Sequence, residues 1–415
     1  MFILLILYTF FVFIRPQDYI PFFSKIPVMP VLLILMFIGF LLLKDKRFDL
    51  PQDKFIFFFF IATFVAHLFH LYFGGLAYVL SKLFPAILIY YIMTNTLVNL
   101  ERIEKYFQLI IILSLILAAH GIHQYFNGGV GWTGQTFAKK TTRIRYIGIF
   151  SDPNDLSLVF LFSIPLSLYF YIKKESFIRR LVYLVLAAIF IYGIILTQSR
   201  GAMVSLASMV AYFAIRRYGL KKGVIIGLIL LLPVLIIGSK EFSRISTDEE
   251  SAYGRIDSWY EGIQMLLSSP LWGVGVGMFT EYNPLTAHNS FVLCFAETGF
   301  LGYFFWIGAI YYNFIGLNYS IEYEKIDNEN NLLTPSFFLT ISLIGFLTAS
   351  FFLSRTYTII LYMIMGLITS YLYATNQDLG WEYPSKLEIR DIKNILMLEF
   401  GTIIAIYIFV KFSVH

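Results

Sequence analysis

Long uninterrupted blocks of apolar residues constrain the fold of this chain more than any other feature of its sequence. Many blocks run for about 16–20 residues, the length that an α-helix needs to cross an apolar layer about 30 Å thick. Membrane β-strands would instead alternate polar and apolar residues, and no such alternation is present. Thirteen segments can be counted along the 415 residues. The sequence predicts an all-α, polytopic membrane protein with about 12–14 transmembrane helices.

The composition supports one membrane domain. Hydrophobic residues make up 58% of the chain and charged residues 14%, whereas soluble domains carry about 25% charged residues. No low-complexity linker or internal repeat divides the sequence, so we predict a single transmembrane domain over residues 1–415. The only cysteine is Cys294, which excludes an internal disulfide.

Lysine and arginine residues are unevenly divided between the two sets of alternating loops. With the N-terminus in the cytoplasm, the cytoplasmic loops carry 18 of the 31, including the pairs Arg179-Arg180 and Arg216-Arg217. Basic residues of a membrane protein concentrate on the cytoplasmic side, so the bias favours this orientation. Topology therefore accounts for the net charge of +5, and we expect no nucleic-acid partner.

Two loops on the predicted outer side are unusual. The loop 127–154 carries Lys139, Lys140, Arg143 and Arg145 against the positive-inside trend, so either the topology differs there or these residues bind an anion. The loop 239–288 is the largest. Its residues 254–269 predict an amphipathic helix on the membrane surface, with an apolar stripe opposite a polar face. The stripe is Ile256, Trp259, Ile263, Leu266 and Leu267, and the polar face is Asp257, Ser258, Glu261, Gln264 and Ser268.

Polar residues at the outer ends of predicted spans are candidates for chemistry. Asp152-Pro-Asn154 is typical of a helix start, so Asp152 is either a cap or a site residue. Arg200 follows Gln198-Ser199 at an apolar boundary, where burying an arginine costs free energy unless it is paired or functional. Arg355 stands between two later spans and is either structural or part of the site.

Two further candidates lie in or after the large outer loop. Arg255 opens the amphipathic helix and either contacts lipid headgroups or belongs to the site. His288 begins a span on the same side as the arginines, unlike an isolated packed histidine. The spacings His67/His70 and His120/His123 could suit a metal pair, but no acids or cysteines cluster with them. The sequence also lacks an Asp-x-Asp motif and a phosphate-binding glycine loop, so we predict neither a metal nor a cofactor.

Five short motifs follow one another along the chain. They are Arg145-x-x-Gly-x-Phe-x-Asp-Pro-Asn154, Thr197-Gln-Ser-Arg-Gly201, Arg255-x-x-x-Trp259, Pro270-Leu-Trp-Gly-Val-Gly275, and His288-Asn-Ser followed by Glu297-Thr-Gly-Phe-Leu-Gly302. In this order they resemble the O-antigen ligase and polymerase superfamily of bacterial membrane glycosyltransferases. The resemblance covers roughly residues 140–305. Near the N-terminus, Arg15-Pro-Gln resembles the exosortase-associated O-glycosylation ligase branch.

The resemblance implies an enzyme of polysaccharide or lipopolysaccharide biosynthesis in the bacterial inner membrane. Such enzymes move a glycan from undecaprenyl diphosphate to an acceptor hydroxyl on the periplasmic or outer face, and the acceptor is a glycan, a lipid or a protein. It implies a metal-independent reaction in which Arg145, Arg200 and Arg255 hold the diphosphate and stabilise the leaving group. His288 would orient or deprotonate the acceptor, with Asp257 as a rival base. Arg143, Asp152, Asn154 and Arg355 complete the predicted substrate-binding set.

Two other functions stay open at this stage. A polymerase of the same superfamily would use a second lipid-linked glycan as its acceptor, and the sequence does not separate it from a ligase. A transporter or flippase for lipid-linked sugars would also need cations in the membrane. Transporters often contain repeated halves, however, and the basic residues of this chain collect at one face rather than along a path.

Overall fold

A computed structural model describes residues 1–138, 141–173, 176–229, 248–327, 333–380, 383–384 and 386–414. Within these ranges the regular secondary structure is helical and contains no β-strand beyond one isolated bridge between Val130 and Thr136. Among the described residues, eight helices are long and apolar enough to cross a membrane, and three shorter apolar helices accompany them. The prediction of an all-α polytopic membrane protein is confirmed.

Sixteen helices can be labelled in chain order within the described residues. The first ten are α1 (Phe2–Phe13), α2 (Pro21–Ser24), α3 (Val28–Leu41), α4 (Pro51–Phe69), α5 (Phe73–Tyr78), α6 (Phe84–Thr96), α7 (Leu100–Phe126), α8 (Pro153–Lys173), α9 (Phe177–Thr197) and α10 (Arg200–Tyr218). The others are α11 (Asp248–Ser268), α12 (Phe279–Tyr282), α13 (Ser290–Asp327), α14 (Pro335–Ser350), α15 (Ile359–Leu379) and α16 (Ile389–Val414). A π-helical turn, Val79–Leu83, joins α5 to α6, and short 3₁₀ turns cover Pro16–Asp18 and Gly148–Phe150.

Each of the thirteen apolar segments counted in the sequence coincides with helix where the structure describes it. The segment near 202–215 forms α10, which is not among the eight span-like helices. The segment near 223–238 is helical as far as residue 229, and its remainder lies outside the described residues. The first residues of the predicted outer loop, 239–247, also lie outside them.

The centre of the bundle is formed by α8 and α15. About four fifths of their span residues are buried inside the protein, whereas α16 buries only 22% of its span and so faces the lipid. Helix α8 packs against α7, α9 and α14, α4 packs against α13, and α6 packs against α15. Small hydroxyl residues let these helices approach and hydrogen-bond across the interfaces, as Ser114 does with Ser163 at 2.7 Å.

Helix α11 contains the predicted amphipathic segment, but protein rather than solvent or lipid covers much of it. Trp259, Ile263 and Leu266 of the predicted stripe are buried against α13 and α16. Leu267 was predicted on the same stripe and is 63% exposed, while Ser258 of the predicted polar face is fully buried. The Ser258 hydroxyl accepts a hydrogen bond from Asn283 Nδ2 at 2.9 Å. The boundary of the buried face therefore follows the neighbouring loop as well as apolar periodicity.

Helix α13 is interrupted where the sequence reads Glu297-Thr-Gly299. Gly299 has φ 63° and ψ −169°, a backbone conformation essentially restricted to glycine. The interruption frees backbone groups that bond the segment 270–275. Phe300 N donates to Pro270 O at 2.7 Å, Val274 N to Ala296 O at 3.0 Å and Gly275 N to Glu297 O at 2.9 Å.

Glycine is required on both sides of this backbone contact. A β-carbon at Gly299 would lie 2.5 Å from the Leu271 carbonyl oxygen, and one at Gly273 would lie 2.5 Å from Gly299 N. Two histidines at the C-terminal end of α4, His67 in its last turn and His70 directly after it, also hold this part of the chain. His70 Nε2 hydrogen-bonds Gly273 O at 2.7 Å, and His67 Nε2 hydrogen-bonds Val276 O at 3.0 Å. Two motifs that are distant in sequence thus form one unit, which we name the 270–275/297–301 clasp.

Candidate functional site

Four polar segments meet at one end of the bundle. Ile144 N donates to Leu196 O at 3.2 Å, and Gln198 Nε2 donates to Thr142 Oγ1 at 2.9 Å. These bonds join the 143–154 motif to the turn between α9 and α10. A second set of hydrogen bonds joins the start of α13 to the loop before α15.

Ser290 ties the first turn of α13 to the loop 353–356. Its hydroxyl donates to Leu353 O at 2.5 Å and accepts from Arg355 N at 2.7 Å, while Thr356 Oγ1 donates to Ser290 O at 2.7 Å. Ser354 Oγ adds a bond to Thr286 Oγ1 at 3.1 Å. Two predicted site residues, His288 and Arg355, are consequently held in adjacent loops.

His288 occupies a constrained position between the large loop and α13. Its φ of 48° lies in the left-handed region, which non-glycine residues rarely adopt and which is enriched at functional sites. Asn289 follows as the helix cap, because its Oδ1 accepts from Phe291 N at 2.9 Å. Burial lowers the pKa of the half-buried imidazole, and the positive charges of Arg255 and Arg355 lower it further, against an opposing effect of Asp152. The neutral form, which can accept a proton, is therefore favoured.

Arg355 forms a bidentate ion pair with Asp155 in the first turn of α8. Arg355 Nε donates to Asp155 Oδ1, Nη2 donates to Oδ2 at 2.6 Å, and Nη1 donates to Ser354 O at 2.9 Å. Burial alone would lower the pKa of Arg355, but the Asp155 carboxylate outweighs it and raises the pKa. Asp155 was not predicted as a site residue. The sequence signal for it was weak, since it simply follows the Asp152-Pro-Asn154 helix start.

Asp152, Asn154 and Arg143 form a connected structural group. Asp152 Oδ1 accepts from Asn154 N at 2.8 Å, which is a helix-capping contact, and Asn154 Oδ1 accepts from Arg143 Nη2 at 3.0 Å. Arg143 Nε donates to Thr197 O at 2.9 Å. Arg143 thus connects the first two motifs through these bonds. Asp152 combines its cap role with a position close enough to influence the pKa values of His288 and Arg355.

The remaining predicted site residues are Arg145, Arg200, Arg255 and Asp257. Arg145 Nε donates to Thr136 O at 2.8 Å, within its own loop. Arg200 opens α10, where Ser199 Oγ accepts from Ala202 N at 3.3 Å. The side chains of Arg200, Arg255 and Asp257 are exposed, and only Arg255 influences the pKa of His288. Lys139 and Lys140 lie outside the described residues.

A cavity of about 570 Å³ opens beside Arg355. It is lined by three basic side chains, two carboxylates and several hydroxyls, with apolar walls from α1, α3 and α6. The charged lining residues are Arg15, Lys82, Arg355, Asp155 and Glu297. Of the nine site residues predicted from the sequence, the cavity lining includes Arg355 alone.

Arg15 reaches the cavity across Gly148 of the first motif. A β-carbon at Gly148, which has φ +62°, would lie 2.5 Å from Arg15 Cζ, so the glycine provides room for the guanidinium group. Arg15 itself has φ 52° and pairs with Asp18 at 2.5 Å. The Tyr146 hydroxyl donates to Ile14 O at 2.8 Å and fixes the two segments together. Arg15-Pro-Gln had served in the sequence as a family cue and had no assigned role.

Lys82 reaches the cavity from the π-helical turn Val79–Leu83. Such turns occur frequently at functional sites. The residue lies inside the candidate span Phe73–Thr96, and no ion pair joins it to another residue in the described part of the chain. A lysine inside an apolar segment is costly and points to a polar ligand or water-filled space. The position of Lys82 within an apolar block is a signal for such a role that can be seen in the sequence.

Part of the chain matches a known protein family. Residues 184–307 match the family described as O-antigen ligase. The matched region contains four of the five motifs, from the α9–α10 turn to the interrupted helix α13. None of the curated proteins compared with the chain matches it. Over residues 184–307, this multi-pass membrane protein is therefore similar to the O-antigen ligase family.

Proposed function

We propose that this protein transfers a glycan from undecaprenyl diphosphate to an acceptor hydroxyl at the outer face of the bacterial inner membrane. Its family supports a glycosyl-transferring ligase or polymerase role. The observation that carries the proposal is the cavity that combines Arg15, Lys82 and Arg355, with His288 on the adjoining loop. Such a transfer requires cations to bind the diphosphate, a neutral base to accept the acceptor proton, and apolar walls along which the lipid reaches the site.

The cations suit a diphosphate leaving group. A guanidinium group stays charged and can bind phosphate oxygens in pairs, which a lysine ammonium group supplements as a point charge. In a poorly solvated cavity these charges stabilise the negative charge that develops on the diphosphate as its bond to the sugar breaks. Arg355 is already oriented by Asp155 and Ser354. The chain's own cations would thus supply the stabilisation that a metal ion provides in other transferases.

His288 is proposed to prepare the acceptor. In the transfer, the acceptor oxygen bonds the anomeric carbon, the bond from that carbon to the diphosphate oxygen breaks, and undecaprenyl diphosphate leaves. The acceptor proton passes to the neutral imidazole, whose lowered pKa keeps it unprotonated at neutral pH. Arg200 and Arg255, predicted to hold the diphosphate, are exposed, so we propose that they attract and guide the anionic donor. Arg145 and Asp257 stay predictions.

Purified protein incubated with lipid-linked glycan, with and without EDTA, tests this proposal. Release of undecaprenyl diphosphate is measured by mass spectrometry for the wild type, His288→Ala and Arg355→Gln. Arg390→Gln is the matched control, since Arg390 is exposed and lies at the start of α16. We expect EDTA-resistant turnover that the two site variants lose and the control keeps. The sugar-bearing product would distinguish a ligase from a polymerase. Movement of the lipid across proteoliposomes without turnover would refute the proposal and favour a flippase.

A further inference from the structure

Glu297 is a buried carboxylate that lines the cavity, and the steps proposed above do not use it. It precedes the break of α13 at Gly299, and only 1% of its surface is exposed. The structure gives it a partner at the start of the short helix α12, because its Oε1 accepts a hydrogen bond from Phe279 N at 3.0 Å.

The second oxygen of this carboxylate is not fully satisfied. Glu297 Oε2 and the neighbouring Tyr357 hydroxyl are both buried and interact with each other, but neither makes a hydrogen bond of full geometry. Leaving a buried polar atom without a partner is costly, and native proteins rarely do so. The cavity beside it has room for a ligand and carries further hydroxyl groups on Tyr78, Thr280 and Tyr357.

The clasp explains why this position is rigid. Helix α13 breaks directly after Glu297, and Gly275 N holds the Glu297 carbonyl at 2.9 Å, while Phe279 N holds one carboxylate oxygen. Backbone and side chain are therefore both fixed before any ligand arrives. A fixed acceptor next to hydroxyl groups is suited to recognising a polyhydroxylated molecule, because each sugar hydroxyl can donate a hydrogen bond to it.

We infer that Glu297 Oε2 accepts a hydrogen bond from a hydroxyl group of the glycan on the lipid-linked donor and so recognises the sugar rather than the diphosphate. This inference rests on the proposed function. Glu297 would then bind the sugar, whereas Arg15, Lys82 and Arg355 would bind the phosphates. It also predicts that the two parts of the donor are recognised independently.

The variant Glu297→Gln tests the inference because it keeps an oxygen for Phe279 N and replaces the second oxygen by a donor. Affinities are measured for two probes, bare undecaprenyl diphosphate and the same lipid carrying the glycan. We expect unchanged affinity for the bare lipid and about ten- to hundred-fold weaker binding of the glycosylated lipid, the range for a charged hydrogen bond. Glu399→Gln, a buried carboxyl in α16 outside the cavity lining, is the matched control and should change neither value.

The ratio of the two affinities is the decisive quantity. A variant that is merely destabilised binds both lipids more weakly by the same factor, and that result would overturn the inference, as would an unchanged ratio, which would mean that water satisfies Oε2. Failure of the proposed function looks different. In that case the wild type would bind the two lipids equally or would release no undecaprenyl diphosphate, whatever residue occupies position 297.

Discussion

Substituting Gly299 by alanine should destabilise the protein by breaking the 270–275/297–301 clasp. The new β-carbon would lie 2.5 Å from Leu271 O and 2.6 Å from Gly273 N, and both of these are backbone atoms that cannot rotate away. Holding a non-glycine residue in this backbone conformation costs roughly 1–3 kcal/mol. Overpacking adds about 1–3 kcal/mol. We therefore expect a loss of about 2–6 kcal/mol in the free energy of unfolding.

The assay is equilibrium unfolding of the purified protein in mixed micelles, driven by increasing SDS and followed by tryptophan fluorescence. Gly401→Ala is the matched control, since no atom lies within 4 Å of a β-carbon there. Alanine within α16 should stabilise that helix by about 0.5–1 kcal/mol. Glycosyl transfer should fall with stability in Gly299→Ala because the clasp positions Glu297. Equal stability of Gly299→Ala and the wild type would refute the role given to the backbone contact.

Three further predictions concern the charged groups of the site. Asp155→Asn should lower the free energy of unfolding by about 1–3 kcal/mol. This is less than the roughly 3–5 kcal/mol lost on breaking a fully buried pair, because both partners are partly exposed. Combining Asp155→Asn with Arg355→Gln should recover part of this loss in the same SDS titration. Since the pKa of His288 is lowered, kcat/KM should rise with pH through a value below 6.5 and then stay level, and Arg255→Gln should move that rise to higher pH. Lys82→Met should weaken binding of undecaprenyl diphosphate about ten-fold without lowering stability, because it removes a costly intramembrane charge; unchanged affinity would exclude Lys82 from the phosphate site.

The helices were predictable because their signal is local. A run of apolar residues long enough to cross a bilayer has to form a helix to satisfy its backbone, and the predicted blocks do so wherever the structure describes them. The face that a helix buries is less local. On α11 the periodicity correctly predicted that Trp259 and Ile263 are buried. Ser258 is also buried, however, where it accepts a hydrogen bond from Asn283, and Leu267 is exposed. Those outcomes depend on which loop packs against the helix.

The site was predictable in part for the same reason. His288 and Arg355 were chosen because each is a charged or titratable residue at the outer end of a span, and the structure holds them in adjacent loops through Ser290. Asp155 could not be found in this way, since nothing in the sequence relates it to an arginine 200 residues away. The sequence shows Lys82 as a charge inside an apolar block, but the direction of its side chain depends on the π-helical turn.

The motifs combine two physical roles that the sequence alone does not separate. Gly148, Gly273 and Gly299 contribute space, since each one stands where another segment comes too close for a β-carbon. The charged residues they admit or fix are Arg15 and Glu297, and neither was assigned a chemical role from its motif. Gly148 therefore identifies a functional side chain elsewhere in the chain, that of Arg15, which occupies the space that the glycine leaves. Gly273 and Gly299 instead admit backbone, and that backbone contact fixes Glu297. On this reasoning the cavity is specified as much by its glycines as by its cations, because two of its proposed recognition groups depend on them.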